Sequence, residues 1–371
     1  MDATTDTLVL VLVIAARLLV PLLIPWYPLP GVVAALVLDA VDQTLFQSFT
    51  NLDLAGYQGY DKALDIYYLS IAYVATLRNW VNLFAFRVSR VLFYLRLAGV
   101  VLFELTGWRL LLFIFPNTFE YFFIWYELVA LLRDPRRLPR ATVVGAAAAI
   151  WIIIKLPQEF WLHIARLDLT DVLKTALFGA APETTWGHLF QAVPAVFIAA
   201  VVGAAALIVA LALAAARRQP RRLVLSARDR TAALDGITMF RARGRWSAEV
   251  FDRDLAEKVT LLTLLVVIFA QVLPNTQATT LQLAVAAVFT IVINAALSHW
   301  LARRSVGWRN TFGQFLVMAA ANITIVAAFQ LAPGGQDLDD AAAAFFVLLL
   351  SLIITLFDRF TIVQNARFPR V

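Results

Sequence analysis

LVLVLVIAARLLVPLLIPW, residues Leu8–Trp26, is an apolar run long enough to cross the ~30 Å hydrocarbon layer of a bilayer as a helix, and it carries one charge, Arg17, near its centre. Runs of this kind recur along the whole chain. About eleven meet the length requirement of roughly twenty apolar residues: Leu8–Trp26, Pro30–Gln47, Asp61–Leu77, Val81–Leu105, Arg109–Leu132, Ala141–Leu156, His188–Ala216, Lys258–Leu273, Thr279–Leu301, Thr311–Leu331 and Ala341–Thr361. The composition agrees. Of 371 residues, 61% are hydrophobic and 15% charged, with a mean hydropathy of +0.78. A soluble core of this length has no room for so much apolar surface, so the excess must face lipid. The expected fold is an all-α, polytopic transmembrane bundle in the cell membrane.

Arginine sets the expected orientation. Asp134–Arg140, Arg217–Arg230, Arg303–Arg309 and Arg367–Arg370 are basic, and they alternate with loops such as Pro274–Ala278 and Ala332–Asp340 that hold no arginine. Basic loops stay cytoplasmic, which places the N-terminus outside and the C-terminus inside and requires an odd number of spans. The net charge of +6 lies in these clusters, a pattern for anionic lipid headgroups rather than for nucleic acid. Met1–Thr7 is acidic and no small-residue cleavage site ends the first run, so that segment reads as a retained helix.

Several chemistries are excluded at this level. Without cysteine there is no disulfide, thiolate nucleophile or Fe–S ligation. His163, His188 and His299 have no metal-ligand spacing, so neither metal nor cofactor is expected. No glycine-rich phosphate cradle with its lysine follows any span. The chain divides into an N-terminal membrane module (1–216), a basic cytoplasmic linker (217–257) and a C-terminal four-helix membrane module (258–371). Within the linker, Ile237–Phe251 around Gly244 suits a small hairpin, and the segment reads either as a headgroup-skirting linker or as a docking element.

Charges inside the apolar runs concentrate in the N-terminal module. Asp39, Asp42, Gln43 and Gln47 stand at i, i+3, i+4 and i+8, on one helix face. Asn117, Glu120 and Glu127 also share a face, just after Pro116, where a missing N–H predicts a kink. Asp61 and Asp65 open the third run. A charge at bilayer depth costs about 2.5–3.5 kcal/mol on insertion scales, so these residues face protein or water. Counting outward from a turn near Pro28 brings Arg17 level with Asp39. Counting from Gly107 brings Arg87 level with Glu127 and Arg96 close to Glu120. These three ion pairs are expected either to fix helix register or to belong to a site. Asp42 and Asp65 lack a cation in this scheme and read as carboxylates that face each other, sharing a proton or binding a cation.

Arg78, Arg87, Arg90 and Arg96 fall on multiples of three, but on an α-helix Arg78 and Arg87 point to opposite sides, so the series is no voltage sensor. Beyond Pro157, the aromatic and charged stretch containing Glu159 and His163 suits an outer interfacial helix. It reads as an anchor or, at i and i+4, as an acid/base pair.

Three functions fit this pattern. The first is a transporter or channel with a carboxylate-lined intramembrane site for protons, cations or a small polar solute, built from Asp39, Asp42, Gln43, Asp65, Asn117 and Glu120. The second is a non-catalytic scaffold within a homo-oligomer or larger membrane complex. The third is an enzyme acting on a lipid-linked substrate, with Asp53, Asp61, Asp65, Glu159 and His163 gathered at the outer face.

Overall fold

The computed structural model describes residues 3–49, 57–165, 253–272, 311–331 and 340–368, with short pieces at 174–176, 179–181, 214, 289–290, 292–294 and 296–297. Among the described residues every regular element is helical. The expected seventh span, most of the ninth, the 217–252 linker with its hairpin, and Asp53 lie outside them.

In chain order the elements are α1 (Ala3–Leu19), continued by a 3₁₀ turn over Val20–Leu23, α2 (Pro28–Phe49), α3 (Tyr57–Asn79), α4 (Leu83–Thr106), α5 (Leu110–Ile114) and α6 (Thr118–Leu132). Next come α7 (Arg140–Ala149), a π-helical stretch (Ile150–Lys155), α8 (Leu156–Glu159) and a second π stretch (Phe160–Ile164), then α9 (Arg253–Val272), α10 (Thr311–Leu331) and α11 (Asp340–Arg367). Among the described residues, three helices are long and apolar enough to cross a membrane: Asp6–Leu23, Arg140–Glu159 and Ala343–Asn365. The first two bury only 17% and 22% of their apolar window, against 72% for the third. The first two therefore leave most of their apolar window outside the protein interior, whereas the third is core.

Chain contacts resolve two units. One comprises Met1–Ala55, Arg87–Gly99 and Trp108–Arg222, the other Gly56–Phe86, Val100–Gly107 and Leu223–Val371. In the first, α1 packs antiparallel on α2, and α2 packs on α6. Gly31 lets the backbone of Ile24 approach closely, since a Cβ there would meet Ile24 N and Cα at 2.9 Å. Trp80–Asn82 separates α3 from α4, so Arg78 does not share a helix with Arg87, Arg90 and Arg96. The Asn82 side chain starts α4 by accepting from the Ala85 N–H at 3.0 Å. Gly107 ends it at φ +67°, with its N–H donating to the Phe103 carbonyl, a left-handed cap that suits a residue without Cβ.

The expected fifth span is broken rather than kinked. Proline removes a backbone donor and disfavours helical geometry in the residue before it. Phe115, Pro116 and Asn117 accordingly leave the helix between α5 and α6. The sixth span departs in the opposite direction, for Pro157 does not end it: the helix runs on from Arg140 to Ile164. Pro157 lies in the first turn of α8, where the register passes from π to α. A carbonyl is left without an intrahelical donor at such a switch in any case, so the missing N–H adds little.

In the second unit α11 packs on α3, α9 and α10, around Leu261, Leu265, Ile268, Leu349, Ile353 and Phe357. Most of its buried polar groups among the described residues are tied to one another, Asn294 Oδ1 excepted. Asn294 donates to Asn322 Oδ1 at 2.6 Å, and Asn322 donates to Ser351 Oγ at 2.9 Å. Lys258 pairs with Asp358 at 2.8 Å, Asn365 donates to Asp254 at 2.6 Å, and the Tyr73 hydroxyl donates to Glu257. Arg367 donates to the carbonyls of Arg78 at 2.7 Å and Trp80 at 2.8 Å, satisfying acceptors left open where α3 ends.

Candidate functional site

Two polar centres occupy the first unit. In one, Arg17 on α1 forks between Asp39 and Asp42 on α2, with Nη2 on Asp39 Oδ1 and Nη1 on Asp42 Oδ2. Arg17 and Asp42 are buried, whereas the Asp39 side chain keeps 29% of its exposure. Asp42 therefore has a cation, contrary to the expectation that it lacked one. Asp39 and Asp42 lie one turn apart, so a planar guanidinium with several N–H donors reaches both. The Gln43 side chain lies outside the described residues. Asp61 and Asp65 are half-buried in the first turns of α3, which belongs to the other unit.

The second centre forms at the break before α6. Released from helix, the Phe115 carbonyl accepts from Arg96 Nη1 at 3.3 Å. The Asn117 N–H donates to Glu159 Oε1 at 3.1 Å, and Asn117 Nδ2 donates to Glu120 Oε2. Arg96 Nη1 stands 3.9 Å from Glu159 Oε1. Gly99, one turn beyond Arg96, permits this approach, because a Cβ there would overlap the Phe115 side chain.

Lys155 completes the cluster. Its Nζ lies 3.9 Å from the centre of the Tyr121 ring, and Glu120, Glu159 and Arg96 are within electrostatic reach. Lys155 and Glu159 are only 3% and 4% exposed, although Ile152, Ile153, Ile154, Phe160 and Trp161 around them are exposed. The π stretch explains this. The buried stripe of α7 is Val143, Ala147 and Ile150, which on a pure α-helix would continue at Ile154 and leave Lys155 about 100° away. Hydrogen bonds from i to i+5 take up one extra residue, and the stripe passes instead through Lys155 and Glu159.

Arg96 and Lys155 thus stand near Glu159, with Glu120 also acting on Lys155, and Arg96 approaches Glu159 only to 3.9 Å. Among the described residues Lys155 makes no ion pair, and Arg96 Nε, Asn117 Oδ1 and Thr118 Oγ1 are buried without a hydrogen-bond partner. Buried polar groups are almost always satisfied, so this concentration of open ones is unusual.

Three sequence expectations are corrected here. Arg96 meets Glu159 in place of Glu120, and Arg87 is exposed and forms no ion pair with Glu127, which is fully buried on α6. Both expectations converted residue counts from Gly107 into depth as if the following helix were unbroken, and residues 115–117 invalidate that conversion. Glu159, expected on an outer interfacial helix, is instead the last residue of a membrane-length helical segment and is buried. The His163 side chain, the other half of the expected Glu159/His163 pair, lies outside the described residues. Sequence reasoning passed over Lys155, whose isolation in IWIIIKLP was the available signal.

No protein-family model, curated protein or solved structure matches this chain.

Proposed function

We propose that the chain is a multi-pass transport protein of the cell membrane, with about eleven spans, basic loops in the cytoplasm and the N-terminus outside. We place its working site at Arg96, Asn117, Glu120, Lys155 and Glu159. The observation that supports this most is a lysine buried about one turn from the end of a membrane-length helix, with no ion pair among the described residues. Ionisable groups buried within membrane spans are expensive and usually lie on a proton or solute path. A structural ion pair closes on its partner. Here Glu120 and Glu159 accept from amide groups of Asn117 and both lie within electrostatic reach of Lys155, an arrangement that suits proton transfer between carboxylate and amine.

A scaffold reading draws support from the other centre, since Arg17 forked between Asp39 and Asp42 is the device expected for fixing the register of α1 on α2. The two readings separate in liposomes loaded with a pH-sensitive dye and subjected to a proton gradient. On the transport reading, the wild-type chain dissipates the gradient and Glu159→Gln slows this by about 100-fold, the scale of a lost acid/base group, while Asp42→Asn retains wild-type flux. Wild-type liposomes no leakier than empty ones across a panel of small solutes would leave the scaffold reading standing.

A further inference from the structure

The turn that joins α6 to α7, RDPRRLPR (Arg133–Arg140), sets four arginines against a single acid. Its shape is fixed by its own hydrogen bonds. Asp134 Oδ1 accepts from the Arg136 N–H at 3.0 Å, a 3₁₀ turn runs over Pro135–Arg137, and the Val143 N–H donates to the Pro139 carbonyl at 3.2 Å as α7 begins. Pro135 is buried under the turn, whereas Arg133, Arg136, Arg137 and Arg140 are exposed. The acid is engaged locally, its second oxygen lying 3.8 Å from Arg137 Nε. Arg133 and Arg136 form no ion pair among the described residues.

Helix electrostatics account for only part of this charge. Arg133 follows the last turn of α6, where the helix end is negative and favours a cation. Arg136, Arg137 and Arg140 stand just before α7 or on its first residue, at a positive helix end that disfavours them. Packing does not account for them either, since they are exposed. Below the turn the side chains are apolar and bare. Leu128 and Leu132, one turn apart on α6, are 48% and 75% exposed, and Val144, one turn beyond Arg140 on α7, is 51% exposed.

We infer that this turn seats the headgroup of an anionic phospholipid in the cytoplasmic leaflet, with the phosphate held by Arg133, Arg136, Arg137 and Arg140 and the acyl chains lying against the bare leucine and valine side chains. A guanidinium fork matches two oxygens of one phosphate, and basic side chains beside a span are what the anionic lipids of that leaflet attract. A free phosphate would use the arginines alone; an amphiphile uses both halves of the surface. Lipid docking of this kind rests on the multi-pass membrane reading and its orientation, and needs no transport.

The test titrates the purified full chain, held in a neutral detergent, with dioctanoylphosphatidylglycerol, with dioctanoylphosphatidylcholine, or with glycerophosphoglycerol, the anionic headgroup without its acyl chains. Thermal unfolding is recorded. Phosphatidylglycerol is expected to raise the unfolding temperature to a plateau, with the other two leaving it in place. Arg136→Gln keeps the backbone N–H that Asp134 caps. It and Arg133→Gln are each expected to raise the half-saturating lipid concentration about 5-fold, the effect of one basic side chain near an anionic surface, and roughly 25-fold together. Arg109→Gln, an exposed position in the outer turn between α4 and α5, should change nothing. If the double variant does not fold, Arg137→Gln, whose side chain is 89% exposed, takes its place. The proposal is overturned if phosphatidylcholine stabilises equally, or if the variants in the turn keep the wild-type response. It is equally overturned if glycerophosphoglycerol matches the lipid, which would make the turn a site for free phosphates. A chain that stays folded and monodisperse without detergent would remove the membrane reading together with this one; a chain that needs detergent yet ignores phosphatidylglycerol removes this one alone.

Discussion

The two units bury polar groups to different ends. In the second, Lys258 pairs with Asp358, Asn322 links Asn294 to Ser351, and Asn365 meets Asp254, all at ordinary hydrogen-bond distance, and Asn294 Oδ1 is buried without a hydrogen-bond partner. In the first, Lys155 stands over an aromatic ring, Arg96 reaches Glu159 only at 3.9 Å, and Arg96 Nε and Asn117 Oδ1 are unfilled. Closed networks fix helices against one another. Open ones forgo that stabilisation and are retained where something other than packing uses them. The contrast also shows that a count of charges per span misleads: the C-terminal helices bury amides and hydroxyls such as Asn294, Asn322 and Ser351 beside the Lys258–Asp358 pair.

If that contrast is right, equal substitutions in the two units have unequal consequences. The largest loss of stability is expected from Lys258→Met. It leaves Asp358 without its cation in a mostly buried setting and costs about 3 kcal/mol, at the lower end for breaking a buried pair. Thermal unfolding of the purified chain reads this directly. A smaller loss, about 1 kcal/mol, is expected for Asn322→Ala, which removes the central link between Asn294 and Ser351. Flux should be unaffected by Asn322→Ala; a flux defect with unchanged stability would move the working site into the second unit and break the contrast.

The helices were legible in the sequence, for α2, α3, α10 and α11 cover the runs expected there and α4 nearly does, but of these only α11 is long and apolar enough to cross a membrane. Matching Arg17 to Asp39 across the Pro28 turn also succeeded, since helix occupies most of both arms and residue counts translate into depth. The site itself was only half legible. Pro116 announced a disturbance beside Asn117 and Glu120, but the loss of helix at residues 115–117 shifted every depth beyond it, and Arg96 found Glu159. Lys155 was invisible because a 3.6-residue period puts it on the wrong face. Only the π stretch Ile150–Lys155 brings it inward, and no residue type in IWIIIK dictates an inserted residue. Likewise, Asn294, Asn322 and Ser351 lie far apart along the chain, and nothing in their spacing marks them as partners.

The central claim is that the open cluster works and the closed ones hold. Lys155→Met and Lys258→Met, compared in the same preparation for unfolding temperature and for gradient dissipation in liposomes, test it most directly. Lys155→Met should abolish flux while unfolding at or near the wild-type temperature, because no ion pair among the described residues is broken and an apolar side chain suits the buried position. Lys258→Met should unfold earlier and, below its transition, still dissipate the gradient. Flux that survives Lys155→Met, or a collapse of stability in that variant as deep as in Lys258→Met, would contradict the account.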